Sequence, residues 1–238
     1  MPPTSIEKIA QYFIITYMMV NVSLMLWEKR KEIPAILAVY RASPYAYAIS
    51  FGLAIFTMVC AGVAYYFSPA ALHWGWFSLV LDSNANPVTQ PIVQAQSSGS
   101  HGPWPVVFIL VFFVALVIAL PLVAHKEEKM FRAGYHARGK MFVQSLKFGL
   151  SHLLVGIPIV IGLVLTIPGY FLACRYRTAY LDAMNKQLTP QQSIEEGVKS
   201  SYTYHCLYNL FLLVFLVAGS IYLIFSSTTV SPLADLAS

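Results

Sequence analysis

Six apolar stretches divide this chain: Ile9–Trp27, Ala46–Phe67, Trp104–Ala124, Met141–Ile157, Pro158–Ala173 and Tyr202–Phe225. A helix needs roughly 20 such residues to cross about 30 Å of hydrocarbon. Inside lipid the backbone must satisfy its own hydrogen bonds, so runs of this kind fold as helices. Repeated along 238 residues, they dictate an all-α fold, a polytopic membrane helix bundle of about six transmembrane helices. Charged residues make up 11% of the chain, against about a quarter in soluble domains, which excludes a water-soluble globule. With 14% aromatic residues the composition is also the reverse of a disordered chain. The first run has no basic leader and no small-x-small cleavage pattern, so it reads as a span rather than a signal peptide.

The stretch from Met141 to Ala173 is too long for one span, because 33 helical residues rise about 50 Å. Gly156-Ile157-Pro158 lies at its middle, and proline removes a backbone donor and crowds the preceding turn. Two spans joined there are expected. Charge distribution favours the same count. Thirteen of the 15 Lys and Arg residues fall in three segments, Glu28–Tyr45, His125–Lys140 and Cys174–Ser201. Six spans put all three on one side, which the excess of positive charge makes cytoplasmic, with both termini outside. The protein is thus expected in the cell membrane as a multi-pass chain.

The net charge of +5 therefore reports topology and implies no nucleic-acid partner; the partner is the lipid bilayer. Residues 1–103 read as a peripheral pair of spans followed by a polar outer connector, with Trp74, Trp76 and Trp104 marking the outer interface. Residues 104–238 carry the polar motifs. Cys60, Cys174 and Cys206 have neither disulfide nor metal spacing and read as small buried hydrophobes.

Ionisable groups inside membrane segments are costly and tend to mark function. They gather in three places: Glu127-Glu128-Lys129-Met130-Phe131-Arg132 closes the third span, Phe148-Gly149-Leu150-Ser151-His152 lies in the fourth, and His205-Cys206-Leu207-Tyr208-Asn209 opens the sixth. Measured from the nearest basic residue at 1.5 Å per residue, Glu127, His152 and His205 all lie about 7–9 Å from the cytoplasmic interface. Residues four apart share a helix face, so Phe148 pairs with His152 and His205 with Asn209. Glu128 and Arg132 form an i,i+4 ion pair, leaving Glu127 about 100° around the helix to face inward. Singly, each has a plain reading: a solvated helix end for the glutamates, a core histidine for His152, helix–helix glue for His205 and Asn209. Converging at one depth, they exceed what packing requires. The chain has no nucleophile elbow, zinc-binding His-Glu-x-x-His helix or glycine-rich phosphate cradle.

The ordered triplet Glu-Glu-x-x-x-Arg, Phe-x-x-x-His and His-x-x-x-Asn resembles the type II CAAX prenyl endopeptidase and bacteriocin-processing (CPBP, Abi) family, over roughly Trp104 to Phe225. The resemblance implies a four-helix catalytic core and an intramembrane glutamic endopeptidase. Glu127 would then be the general base on water and His152 would hold that water. His205 and Asn209 would stabilise the oxyanion, with Glu128, Arg132 and Phe148 in support. It implies a protein or peptide substrate at the membrane, lipid-modified or not, and no metal; zinc at Glu127, His152 and His205 is the lesser alternative. Lys129 departs from the family pattern, in which an apolar residue is usual there, and the polar segment Leu181–Lys199 is inserted before the last span. Two other readings stay open: a non-catalytic membrane adaptor or immunity-type protein of the same family, and a small ion-coupled carrier. The carrier lacks any charge across Gly156–Ala173 and Leu210–Phe225.

Overall fold

The computed structural model describes residues 16, 17, 20, 21, 23–31, 33–75 and 104–228. The first apolar run lies largely outside these residues. So do the connector 76–103 and both termini, and with them the expectations placed there. Every regular element among the described residues is helical. In chain order they are α1 (Ile33–Leu37), α2 (Pro44–Phe67), α3 (Trp104–Phe131), α4 (Arg138–Ser151), α5 (Ile159–Val164), α6 (Thr166–Asn185) and α7 (Pro190–Thr228), with 3₁₀ turns at Ala38–Tyr40, Ala70–His73 and His152–Val155.

Local chemistry sets the helix starts. Ser43, in extended backbone, accepts a hydrogen bond from the Ala46 amide at 3.3 Å, and Pro44 fills the first helical position of α2. Before α7, Thr189 Oγ1 accepts from the Gln192 amide (3.3 Å) while Gln192 Oε1 accepts from the Thr189 amide (3.0 Å), a reciprocal capping box.

Among the described residues three helical segments are long and apolar enough to cross a membrane: Pro44–Phe67, Ile159–Asn185 and Pro190–Gly219. On α2 the side chains of Ile55, Phe56, Val59 and Val63 are exposed, an apolar surface suited to lipid. The other face of α2 packs on α7. Ala46 shares a buried cluster with Leu172, Tyr204 and Leu207, Ser50 Oγ donates to the Tyr204 carbonyl at 3.4 Å, and the rings of Phe51 and Phe211 meet edge-on at 5.2 Å.

The 33-residue apolar stretch is broken where glycine and proline stand. Helix α4 ends at Ser151, and its 14 residues rise only about 21 Å. A 3₁₀ turn carries the chain on to Val155, and Gly156 reverses it at φ +87°, a left-handed conformation that favours glycine. Ile159 N then donates to the Trp74 carbonyl at 3.0 Å, which ties the reversal to the chain leaving α2. The returning α5 and α6 run antiparallel to α4 with backbones in close contact. A Cβ on Gly149 would overlap the Gly162 carbonyl oxygen, and one on Gly169 would lie 2.9 Å from the Phe148 ring.

The basic segment 174–201 reads from its charge as a loop between spans, with an amphipathic helix open for Leu181–Lys199; the structure carries helix further than that reading, through most of the segment. The segment is helical except at Lys186–Thr189, forming the end of α6 and the first three turns of α7. Apolar composition marks the thickness of the lipid, whereas helices continue past it as long as the residues are good helix formers.

Candidate functional site

The polar side chains come from α3, α4 and α7. Glu127 and Glu128 lie in the last turn and a half of α3, and Arg132 directly follows it. Phe148 is on α4, His152 opens the 3₁₀ turn after it, and His205 lies midway along α7. The buried centre of the site is Glu128, with a side chain at 0% exposure. His205 and Arg132, each at 1%, bind its two carboxylate oxygens. His205 Nδ1 lies 2.8 Å from Glu128 Oε1, and Arg132 Nε lies 3.6 Å from Oε2. Arg132 also donates through Nη2 to the Gly169 carbonyl at 3.4 Å. Among the described residues Arg132 Nε and Nη1 and Glu128 Oε2 have no hydrogen-bond partner, so the 3.6 Å contact is an ion pair, and the guanidinium lies 4.2 Å from the centre of the Phe148 ring. A cation over an aromatic face is attracted by the ring quadrupole, more strongly when both are desolvated.

Phe148 is the hub of this arrangement. Its ring meets His152 edge-on at 4.9 Å, His205 at 5.5 Å and Phe131 at 5.6 Å. His152 Nδ1 lies 2.8 Å from the Phe148 carbonyl. A carbonyl only accepts, so Nδ1 carries the hydrogen and the neutral ring leaves Nε2 bare. Glu127 is the most open member of the ion cluster: its carboxylate is 21% exposed and lies 3.5 Å from His205 Nε2. His205 therefore stands between two carboxylates, one sealed and one reachable.

Six of the seven residues singled out in the sequence thus meet around Phe148. The seventh, Asn209, is part-buried one turn beyond His205, and its side chain makes no hydrogen bond among the described residues. Glu128 has a larger part than its pairing with Arg132 foretold. It is Glu128, not Glu127, that makes the short bond to His205. Gly169 was missed altogether, although it supplies a carbonyl to Arg132 and the space for Phe148. The available signal was the pair of small residues Gly162 and Gly169, seven apart in an apolar stretch, a spacing that lets helices approach closely.

Among the described residues no three His, Cys, Asp or Glu side chains form a group able to hold a metal ion. The remaining described histidines are engaged elsewhere: His73 stacks on Tyr65 at 4.0 Å, His125 meets Tyr202 at 5.3 Å and His136 stacks on Tyr180 at 5.0 Å. Comparison of the chain with protein-family models, with curated proteins and with solved structures finds no match.

Proposed function

We propose that this protein is an intramembrane endopeptidase of the glutamic type, hydrolysing peptide bonds near the cytoplasmic membrane face. In this reading the chain crosses the membrane about six times, with both termini outside and the basic segments cytoplasmic. One observation carries it: the reachable carboxylate of Glu127 stands 3.5 Å from an imidazole whose other nitrogen is held by a buried carboxylate. A peptide bond is cleaved by an activated water together with donors aimed at the charge that develops on the carbonyl oxygen. Glu127 is placed to take a proton from water. His205 Nε2, 3.5 Å away, is placed to face the carbonyl. His152, held by its Nδ1 bond, has Nε2 free to hold the water. Asn209, one turn beyond His205 on the same helix face, is the further donor in this reading.

The experiment is cleavage of a mixed peptide library by the purified full-length protein, compared with Glu127→Gln. The variant keeps the shape and loses the base, so cleavage should vanish while the thermal midpoint stays within about 1 °C, as expected for a partly exposed site. Undiminished cleavage by Glu127→Gln ends the proposal. The competing reading, a non-catalytic adaptor or immunity-type protein, expects no cleavage by the unaltered protein and full biological activity in the Glu127 variant.

A further inference from the structure

The three membrane-length segments meet at one level: Ala46 of α2, Leu172 of α6 and Tyr204 of α7 share a buried cluster. That level is the edge of the apolar stretches, since Ala46 opens one, Ala173 closes another and Tyr202 opens the last. Arg175 lies two residues past Ala173, about 3 Å further along α6. The polar headgroup zone of a bilayer is about 5–8 Å deep on each side. Arg175 therefore stands inside that zone, at the depth of lipid phosphates.

The Arg175 side chain is part-buried and has no anion. Its guanidinium lies 4.3 Å from the centre of the Tyr204 ring, which Phe171 holds by an edge-on contact at 5.9 Å. Its Nε is sealed and lacks a hydrogen-bond partner among the described residues, and no described carboxylate pairs with it. The acids on neighbouring turns are engaged or distant. Glu196 pairs with Lys199 and Glu195 accepts from Gln191, while Asp182 is seven residues, about 10 Å, along α6. A second positive charge joins the same spot: Tyr40 and Ala42 pack against the cluster, and the exposed Arg41 stands between them. An aromatic face attracts a cation without neutralising it, and a charge withdrawn from water calls for an opposite one.

We propose that Arg175, backed by Tyr204 and joined by Arg41, is a headgroup site for an anionic phospholipid. A planar guanidinium matches phosphate oxygens in pairs, and Tyr204 holds this one in place. Two cations with no carboxylate between them favour a phosphoglycerol headgroup over phosphocholine, whose own cation they repel. The site does not depend on hydrolysis at Glu127, and none of its residues has a part there. Arg177 supplies the control. It lies two residues along α6 and about 200° around the helix, where its Nε donates to the His136 carbonyl at 3.2 Å.

The test is native mass spectrometry of the full-length protein, released from detergent after equilibration with equimolar phosphatidylglycerol and phosphatidylcholine of the same acyl chains. Retention of phosphatidylglycerol in preference to phosphatidylcholine is expected. A basic residue at a membrane surface strengthens binding to anionic lipid about fivefold. Arg175→Gln should cut the preference by that factor, Arg41→Gln added to it should cut it further, and Arg177→Gln should leave it unchanged. Equal retention of the two lipids by the unaltered protein overturns the proposal, whether or not the variants fold. An equal loss in Arg177→Gln shows diffuse attraction in place of a site and overturns it too. Glycerol phosphate, which has no acyl chains, is the third arm. If it displaces phosphatidylglycerol at equal concentration, the site takes a soluble anion and the lipid assignment fails.

Discussion

Gly149→Ala is the substitution that most directly tests how the site is held. A Cβ at this position overlaps the Gly162 carbonyl oxygen and lies 2.9 Å from the Thr166 nitrogen and 3.0 Å from Thr166 Oγ1. Two of these atoms are backbone and cannot rotate away, so α4 must move off α5 and α6. Optimal contact between heavy atoms is near 3.5 Å, which makes the required shift about 1 Å. Overpacking of this kind costs about 1–3 kcal/mol, and the gain from alanine over glycine in a helix, about 0.5–1 kcal/mol, offsets only part of it. A net loss of about 1–2 kcal/mol lowers the thermal midpoint of a chain this size by about 2–8 °C. Because Phe148 precedes Gly149 and His152 follows three residues later, the same shift displaces the ring that spaces the two histidines. A misplacement of about 1 Å costs on the order of 10²-fold in rate. Gly52→Ala is the control: nothing lies within 4 Å of its Cβ, so it should keep or raise the midpoint. Melting of the detergent-solubilised protein, followed by helical circular dichroism, reads both. If Gly149→Ala melts at or above the unaltered protein, the close contact between α4 and α5–α6 is not what holds the site.

Two further substitutions probe the cluster and the reversal. Glu128→Ala strands a guanidinium and an imidazole in a buried site, a loss of about 3–5 kcal/mol; its midpoint should fall further than that of Gly149→Ala, and adding Arg132→Leu should recover part of the loss. Gly156→Ala forces a side chain into the left-handed region at φ +87°, costing about 1–2 kcal/mol and lowering the midpoint in the same melting assay.

The pairing of Glu128 with Arg132 was legible in the sequence because four residues on a helix are a fixed geometry, even though α3 ends at Phe131 and Arg132 lies just past it. The contact of Phe148 with His152 was legible for the same reason. The break in the apolar stretch from Met141 to Ala173 could be read from Gly156 and Pro158, whose backbone preferences act locally. An amphipathic helix within Leu181–Lys199 could be read from the sequence, but the unbroken run of helix from Thr166 past the apolar stretch to Asn185, and from Pro190 into the last span, could not, since apolar composition marks the lipid and not the helix end. Nor could the order of burial of the two glutamates be read. Neighbouring residues on a helix differ by about 100° in direction, and only the packing of α3 against α7 sets the rotation that buries Glu128 and leaves Glu127 part-exposed.

The sequence by itself determined that this is a chain of apolar helices, where they bend, and which polar residues lie four apart on one face. These properties depend on transfer to lipid and on backbone geometry, which act within a few residues. Tertiary structure alone decided that Glu128 sits inside the cluster while Glu127 stays open, and that Phe148 spaces two imidazoles and carries a guanidinium. Those outcomes join residues as far as 77 positions apart in the chain. They are fixed by how closely Gly149, Gly162 and Gly169 let the helices approach, a matter of packing that no local pattern encodes.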